Sequence, residues 1–372
     1  MRFTLAWLGF SAFQFSGVSA STTSRPRQQA AKRVAIAGLV HGHVDGLLPG
    51  LLKRTDVQLV AIAEPNKALS QQYASSYNIS SDLFHTDLDQ MLQDKHPDAV
   101  LVYTTILDHR RVIETAAKYG ISSMVEKPLS TTMEDALAIR ETVRKSNVHV
   151  LVNYETTWYS SNAAAIEAAR NGSLGTIRKV VVHDGHQGPA EIGVGPEWLP
   201  WLTDPVQNGA GALFDFGCYG ADLVTVLHGG VAPESVMAVA QTDKPEEYPK
   251  VDDDATVILR YNGSQAVLMP SWNWPYSRKD MEVYGTNASV TTVGSNSVVR
   301  RVNANLGAAE PVPALPEERR DPLTYLIGVL DGKIKDEGDL TALDTNMVAM
   351  QILDAARQSA MTGKSVQIQP LP

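Results

Sequence analysis

The sequence predicts an α/β protein of two domains: a doubly wound parallel sheet, then an α/β domain with an open, mostly antiparallel sheet. Two observations predict this arrangement. Between residues 33 and 153, apolar runs alternate with amphipathic helical patterns, as in parallel sheets covered by helices. Beyond residue 153, strand patterns follow one another with turn residues between them, which is typical of antiparallel pairing. A chain of 372 residues is long enough for two such domains.

The elements of the first domain, residues 33–153, are predicted in chain order. Its strands are the runs RVAIAG, VQLVAIAE, DAVLVYT, SSMVEK and VHVLVN. Helices are predicted from segments such as DHRRVIETAAKYG, where Gly120 is a helix stop, and TMEDALAIRETVRKS. Because the strands are apolar on both faces, we expect helices on both sides of this sheet.

The second domain, residues 154–372, begins with the helical pattern SSNAAAIEAARNGSLG. Its strands are predicted from TIRKVVVHDG, ESVMAVAQT, DATVILRYNGSQAVLMPSWNW, KDMEVYGTNASVTTVG and NSVVRRVN. Asn262 and Gly263 supply the turn of a hairpin. Two helical patterns, DPLTYLIGVLDG and DTNMVAMQILDAARQSAMTG, follow, and Gly363 ends the second. We expect an exposed face of this sheet to be a surface for a homo-oligomer.

The first 20 residues have the pattern of a secretory signal peptide. Arg2 precedes an apolar run, and Val18, Ser19 and Ala20 are the small residues of a cleavage site. The alternative is an apolar N-terminus of a cytosolic protein. Residues 21–32 are predicted to be a flexible lead-in. We therefore expect a secreted or periplasmic protein that does not associate with membranes after cleavage.

Composition argues against several classes of function. The formal net charge is -9 and the basic residues are scattered, so the chain lacks the basic patch of a nucleic-acid-binding protein. Cys218 is the only cysteine, which excludes an intramolecular disulfide framework and a cysteine-rich metal site.

The stretch RVAIAGLVHGHVDG has the form of a strand followed by a phosphate-binding turn. Gly38 can make the tight turn that directs a helix N-terminus at a phosphate group. Val40 and His43 stand where such turns carry further glycines, although Gly42 restores some freedom, and His41 or His43 can donate to a phosphate oxygen. Dinucleotide binding and the binding of another ligand remain equally open. No third ligand accompanies the two histidines, so we expect no metal site.

Charged residues end two of the strands. Glu64 can accept hydrogen bonds from ribose hydroxyls and repel a 2′-phosphate, which favours NAD over NADP. Glu126 and Lys127 point to opposite sides of their strand, and Pro128 keeps Lys127 extended at the ligand-binding edge. Beside a cationic nicotinamide ring, this lysine would have a lowered pKa and exchange a proton with a substrate hydroxyl. The alternative for either residue is a solvated strand end.

The stretch GAGALFDFGCYGADL predicts a helix with Asp215, Tyr219 and Asp222 on one face. A carboxylate and a phenol placed together can orient a sugar-like hydroxyl and relay its proton. The alternative is the polar face of an amphipathic helix, with an acid at its N-terminus.

Aromatic residues predict the substrate class. Five of the six tryptophans lie beyond residue 153, mostly in turn-rich segments, and aromatic faces suit the apolar faces of a sugar ring. We expect Trp158, Trp272, Trp274 and His186 to contact such a substrate, together with Asp222. The alternative for each tryptophan is a place in the core.

These motifs together resemble the Gfo/Idh/MocA family, the glucose-fructose oxidoreductase and inositol dehydrogenase group. The resemblance rests on AVLVYTTILDH, GISSMVEKPLSTTMEDA, GSLGTIRKV, GAGALFDFGCY and DTNMVAMQILDAARQSAMTGKSV, in that order. It implies a Rossmann domain, a C-terminal domain with an open antiparallel sheet, and a nicotinamide cofactor between them. It also implies catalytic roles for Lys127, Asp215 and Tyr219, and cofactor contacts from Thr104 and His109 in TTILDH.

The resulting hypothesis is an NAD(P)-dependent oxidoreductase acting on a sugar or cyclitol secondary alcohol or its carbonyl. NAD is the expected cofactor, with NADP as an alternative. Because free NAD is scarce outside cells, we expect a tightly retained cofactor in a closed redox cycle. The alternatives are an exported sugar-binding protein that has lost cofactor function, which Val40 favours, and a redox-assisted glycosidase on the same scaffold.

Overall fold

A computed structural model describes residues 30–305 and 307–371. The predicted signal peptide and nearly all of the predicted lead-in lie outside these residues. Within the described ranges, no helix is both long enough and apolar enough to cross a membrane.

The first sheet has six parallel strands in the order β3-β2-β1-β4-β5-β6. The strands are β1 (Lys32–Ala37), β2 (Val57–Ala63), β3 (Phe84–His85), β4 (Ala99–Val102), β5 (Ser122–Glu126) and β6 (Val150–Asn153). The helices are α1 (His43–Leu51), α2 (Lys67–Tyr77), α3 (Leu88–Lys95), α4 (His109–Lys118) and α5 (Met133–Ser146). The predicted doubly wound sheet is thus confirmed. Strand order reverses between β1 and β4, where ligands bind in such sheets.

Side chains cap three of these helices at the positions where the chain enters them. Asn66 accepts hydrogen bonds at the start of α2, Asp87 at the start of α3 and Thr132 at the start of α5. The strands themselves are buried on both faces, and β4 and β5 are buried at every position. These local signals explain why the helix and strand pattern was readable from the sequence.

The second sheet has nine strands in the order β14-β13-β12-β11-β7-β10-β9-β8-β15. Its longer strands are β7 (Ile177–Gly185), β8 (Ser235–Gln241), β9 (Asp254–Tyr261), β10 (Ser264–Ser271), β11 (Arg278–Gly285), β12 (Ser289–Val293) and β13 (Ser297–Arg301), with the short strands β14 (Glu310–Pro311) and β15 (Val366–Gln367). Only β7 and β10 pair in parallel within the described sheet. Gly263, with φ of +79°, makes the predicted hairpin turn between β9 and β10. The expected mostly antiparallel sheet is confirmed.

Six α-helices follow β6 in the described chain: α6 (Ser160–Arg170), α7 (Leu199–Leu202), α8 (Ala212–Asp215), α9 (Gly217–Leu227), α10 (Pro322–Leu330) and α11 (Leu343–Thr362). Helices α9 and α11 pack together beside the sheet, and α11 ends at Gly363. Helix α10 belongs to a different core. Its Leu323 and Leu326 are buried in one cluster with Val34 and Ile36 of β1, so this late segment covers the first sheet.

Candidate active site

Lys127 follows β5 and reaches the second domain. Its Nζ donates to the backbone carbonyl oxygen of Asp215 at 3.0 Å and forms an ion pair with the Asp215 carboxylate. Burial alone would lower the pKa of Lys127, but the Asp215 carboxylate raises it above the ordinary value. The lowered pKa expected from the sequence is therefore not found in the protein itself, and Lys127 is held in its charged form.

Asp215 is the last residue of α8 and is fixed by two partners. Trp272 donates its indole N–H to Asp215 Oδ2 at 3.0 Å, while Lys127 contacts Oδ1. Burial would raise the pKa of Asp215, but the charge of Lys127 lowers it below the ordinary value. The prediction of a single helix with Asp215, Tyr219 and Asp222 on one face is wrong, because the helix is interrupted at Phe216 between α8 and α9.

Tyr219 lies between two lysines. The centre of its ring is 5.2 Å from Lys127 Nζ and 5.0 Å from Lys279 Nζ, and Tyr154 packs against it edge-on. Burial raises the pKa of Tyr219 well above its ordinary value, so the phenol is neutral. The structure thus brings together Lys127, Asp215 and Tyr219, the three residues for which the resemblance implies catalytic roles, and each is at most 5% exposed.

Lys279 was not singled out from the sequence. It lies on β11 opposite Asp184 of β7 and forms an ion pair with Glu155. Burial raises the pKa of Asp184 well above its ordinary value, and among the described residues Asp184 Oδ1 has no hydrogen-bond partner. The pairing of β7 with β11, which places these groups together, joins segments about 95 residues apart and has no local sequence signal.

A second polar cluster lies where β5 and the turn before α1 meet. His43 Nδ1 is 2.9 Å from Glu126 Oε2, and His41 Nε2 is 4.0 Å from the same oxygen. Asn153 donates to Glu126 Oε1 at 3.0 Å. Both histidines, which the sequence offered as phosphate donors, therefore face a carboxylate. Burial lowers the pKa of His41 well below its ordinary value, so its ring is neutral.

The turn after β1 keeps several features that suit a dinucleotide. Gly38 has a φ of +81°, and a Cβ at this position would lie 2.6 Å from Thr104 Cγ2, so only glycine fits. Gly42 precedes the N-terminus of α1. Glu64 is in the expected place, but its oxygens accept backbone N–H groups of Leu39 and Asn66, both at 2.8 Å. Burial raises the pKa of Glu64.

Trp198 covers the open side of this turn. A Cβ on Gly42 would lie 2.2 Å from Trp198 Cε3, so the indole packs directly on the glycine. The neighbouring Trp201 donates its indole N–H to the backbone oxygen of Val40 at 3.2 Å. A pyrophosphate and Trp198 therefore cannot both lie against Gly42. The side chain that packs on this turn is therefore Trp198 of the second domain, whereas the sequence draws attention to Val40, which stands where such turns carry a glycine.

The two cofactor contacts implied by TTILDH lie inside the protein. Thr104 donates its hydroxyl to the Thr105 carbonyl oxygen at 3.0 Å. His109 begins α4 and is fully buried, with Nδ1 3.2 Å from the Leu129 carbonyl oxygen. Burial lowers the pKa of His109 to about 4. His109 thus joins α4 to the segment after Lys127.

The residues that the sequence predicts to contact substrate do not all lie in one place. Trp158 lines a cavity of about 610 Å³ with His43, Glu126, Asn153 and Glu155.

His186 and Trp274 are half-buried, and His186 packs edge-on against Phe216 beside Asp215. Trp272 and Asp222 correct the prediction. The Trp272 side chain is fully buried as the partner of Asp215, and Asp222 is buried in α9 with its pKa raised well above the ordinary value by burial and by Asp339. A period-2 or helical pattern cannot distinguish a rim residue from a buried one that positions a neighbour.

Comparison with known proteins identifies both domains. Residues 32–154 match the oxidoreductase family model with an NAD-binding Rossmann fold, and residues 162–291 match the GFO/IDH/MocA C-terminal domain. The trans-1,2-dihydrobenzene-1,2-diol dehydrogenase of Bos taurus is 26% identical over 234 residues, which are 62% of this chain and 64% of that protein. The Homo sapiens protein of the same name is 24% identical over 233 residues, with the same shares. The match thus spans less than two thirds of these relatives.

Solved structures share the fold over nearly the whole chain. The aldose-aldose oxidoreductase of Caulobacter crescentus, complexed with glycerol, has a TM-score of 0.74 and 22% identity, covering 91% of this chain and 99% of that one. An inositol dehydrogenase homolog of Azotobacter vinelandii, complexed with NAD+, has a TM-score of 0.78 and 19% identity, covering 91% and 98%.

Proposed function

The chain belongs to the GFO/IDH/MocA family of NAD-binding oxidoreductases, and we propose that it interconverts a secondary alcohol and its carbonyl on a polyhydroxylated ring or chain. The observation that carries this proposal is the buried contact of Lys127 with Asp215 beside the ring of Tyr219. A charged lysine next to a neutral phenol is an arrangement that can deliver a proton to a carbonyl oxygen.

The residues that would hold NAD are the turn from Gly38 to Gly42, the N-terminus of α1 and Glu64 at the end of β2. The nicotinamide supplies or accepts the hydride when it is bound. Glu64 orients the turn through the Leu39 N–H, and its buried carboxylate disfavours the 2′-phosphate of NADP. NAD is therefore the favoured cofactor.

The chain's own groups handle the proton. In the reducing direction, Lys127 gives a proton from Nζ to the carbonyl oxygen, and Asp215 keeps Lys127 charged before this step. In the oxidising direction, a neutral Lys127 takes the proton from the hydroxyl. Tyr219 orients the same oxygen through its phenol, which stays neutral because it is buried. Its ring, packed against Lys127 and Lys279, fixes where the ammonium groups lie.

The proposed substrate carries adjacent hydroxyl groups. The names of the similar proteins include a dihydrodiol, an inositol and an aldose, and all three compounds have vicinal hydroxyls. Asp184 and Lys279, paired across β7 and β11, supply a hydroxyl-binding carboxyl group and a cation near Tyr219. His186, which packs edge-on against Phe216, adds a ring nitrogen.

The reactive groups are buried, so a covering segment has to move for substrate to enter, and we propose that it is the segment around Trp198 and Trp201. This segment joins the second domain to the turn after β1 through the Trp201 hydrogen bond to Val40. The same movement frees Gly42 for the cofactor. We propose that NAD, once bound, is retained, so that one polyol is oxidised and another carbonyl is reduced without cofactor release.

Export and self-association complete the proposal. The N-terminal signal pattern supports secretion with cleavage after Ala20, and mass measurement of the mature chain tests it by locating its first residue at Ser21. The exposed apolar side chains of Met237, Val239 and Ile258 on β8 and β9 support association of two copies through the second sheet. A monomer in light scattering would refute that association.

The main experiment offers NAD with aldoses, inositols and cyclic dihydrodiols to the purified chain and follows nicotinamide reduction. Lys127→Met should lower kcat/KM by about 100-fold or more, the range of general acid-base catalysis. Lys179→Met, a surface lysine paired with Gln265 on the second sheet, is the matched control and should retain activity. Equal rates for wild type and Lys127→Met would refute the proposal.

A further inference from the structure

The cluster of His41, His43 and Glu126 has the composition of a metal site. One ligand atom from each of the three residues lies within 4.8 Å of the others. The closest pair, His43 Nδ1 and Glu126 Oε2, is 2.9 Å apart, and His41 Nε2 is 4.0 Å from that same oxygen. Ligand atoms around one tetrahedral Zn²⁺ are roughly 3.3 Å apart at the usual bond lengths. Small side-chain movements therefore bring all three into a single coordination sphere.

We propose that His41, His43 and Glu126 bind a divalent first-row transition metal, with Zn²⁺ as the representative ion. Two imidazoles and one carboxylate form a ligand set that zinc and non-haem iron use in catalytic sites, with positions left open. The sequence alone lacked the third ligand, because Glu126 lies 83 residues beyond His43 and reaches it only through the parallel sheet.

Neighbouring groups hold the three side chains in place. The Asn153 amide donates to Glu126 Oε1, and the Trp158 indole donates to Asn153 Oδ1, both at 3.0 Å. The His41 ring lies against Trp198 and Trp201, with ring centres 4.8 and 5.4 Å away. Such outer contacts orient metal ligands and raise metal affinity. Oε2 of Glu126 is left free of Asn153 and faces both imidazoles.

Metal binding changes two hydrogen bonds within the cluster. The bond between His43 Nδ1 and Glu126 Oε2 gives way to two metal bonds. The His43 backbone N–H now points at His41 Nδ1 across 3.3 Å. Coordination through His41 Nε2 places the ring proton on Nδ1, so this contact is lost and the His41 ring has to turn away from the His43 N–H. One carboxylate and two neutral imidazoles leave a bound divalent cation with a single net positive charge, so an anionic ligand is favoured at an open coordination position.

The open side of the site faces a cavity. His43, Glu126, Asn153 and Glu155 line one end of the volume of about 610 Å³, and Trp158 forms part of its wall. A water molecule or a carboxylate or hydroxyl oxygen of a ligand can occupy the remaining coordination positions there. Lys127 points to the other side of β5, where Asp215 neutralises it, so the two sites are adjacent but separate.

This site goes beyond the proposed oxidoreductase function and is tested without any cofactor or substrate. The full chain is treated with a chelator, exchanged into metal-free buffer and titrated with Zn²⁺ by calorimetry. Co²⁺ is then added in place of Zn²⁺, and its visible absorption reports the ligand set. We expect one ion per chain and a Co²⁺ spectrum that Zn²⁺ abolishes.

Four variants assign the ligands. Glu126→Gln and His43→Ala should each weaken Zn²⁺ binding by about 100-fold or more, and Asn153→Ala by about 10-fold. His149→Ala removes a histidine paired with Asp336 away from the cluster and is the matched control. Circular dichroism of each variant separates lost ligands from lost folding. Absence of binding in wild type, or equal binding by folded Glu126→Gln and wild type, would overturn the proposal, whatever the result with NAD.

Discussion

Lys127 Nζ contacts Asp215 twice, at the side-chain carboxylate and at the backbone carbonyl oxygen 3.0 Å away. Both residues are buried, so each charge depends on the other for compensation. This contact joins the edge of the first sheet to the start of the helical segment in the second domain. Through this contact the fold keeps Lys127, the proposed proton donor, in its charged form.

Removing the carboxylate should destabilise the protein. Asp215→Asn leaves the Lys127 charge buried without its ion-pair partner, and loss of one partner of a buried pair costs about 3–5 kcal/mol. Chemical denaturation at neutral pH measures the free energy of unfolding. The double variant Lys127→Met with Asp215→Leu removes both charges and should recover most of that loss. A double variant no more stable than Asp215→Asn would contradict the buried-charge explanation.

Trp272 positions Asp215 and should affect the rate through it. Trp272→Phe removes the 3.0 Å hydrogen bond to Asp215 Oδ2 and keeps most of the packed ring. A hydrogen bond to a charged group contributes about 1.5–3 kcal/mol, so kcat should fall about 10-fold with KM nearly unchanged. Tyr284→Phe is the control, since it removes a hydrogen bond to the carboxylate of Glu282 at an exposed position on β11. An unchanged kcat in folded Trp272→Phe would exclude this positioning role.

The local parts of this site could be read from the sequence. Lys127 and Asp215 stand in short motifs whose strand and helix context sets their place. Trp272 could not be assigned correctly, because its role depends on where β10 ends relative to α8. Lys279 was missed for a related reason: its neighbours Asp184 and Tyr219 come from elements far away along the chain.

Trp198 should limit the affinity for NAD. Because its ring packs on Gly42, the cofactor binds only after the indole has left a contact worth about 1.5–3 kcal/mol. Trp198→Ala should tighten NAD binding about 10-fold or more in a calorimetric titration. Val40→Gly is the matched comparison and should leave the affinity nearly unchanged, since it keeps the backbone oxygen that accepts the Trp201 hydrogen bond. If Val40→Gly tightened NAD binding and Trp198→Ala did not, Val40 and not Trp198 would be the residue that limits the affinity.

Asp184 should reduce stability as pH rises. Burial raises the pKa of its carboxyl in the folded state, while the unfolded chain ionises at about pH 4. As pH rises, the unfolded state therefore loses this proton at a lower pH than the folded state does. Above that pH the free energy of unfolding falls. Asp184→Asn should raise the melting temperature at neutral pH and leave it nearly unchanged at about pH 4.

The neighbouring Asp280 provides the opposite case. His183 and Arg278 outweigh burial and lower the pKa of Asp280. Its ionised form is stabilising above the unfolded pKa, and that contribution is lost as pH falls. Asp280→Asn should therefore lower the melting temperature at neutral pH. If the melting temperatures of Asp184→Asn and Asp280→Asn changed with pH in the same way, the two carboxyl groups would not have pKa values shifted in opposite directions.

The fold was more predictable than the arrangement of its domains. Apolar runs predict five of the six strands of the first sheet, and Asn262 with Gly263 predicts the hairpin, whereas the two-residue strand β3 was missed. The covering of Gly42 by Trp198, the return of α10 to the first core and the meeting of His43 with Glu126 are contacts between distant segments. The pattern of a single sequence does not show which distant segments lie side by side, so these contacts could be found only from the structure.

The pH dependence of carbonyl reduction in Asp215→Asn tests the central claim most directly. If Asp215 keeps Lys127 charged, wild type should retain its kcat/KM through the alkaline range, because the pKa of Lys127 is raised. In Asp215→Asn the pKa of Lys127 should fall, since burial then acts without the carboxylate, and kcat/KM should decline at a lower pH. The same alkaline limb in a folded Asp215→Asn protein and in wild type would contradict Lys127 as the proton donor that Asp215 controls.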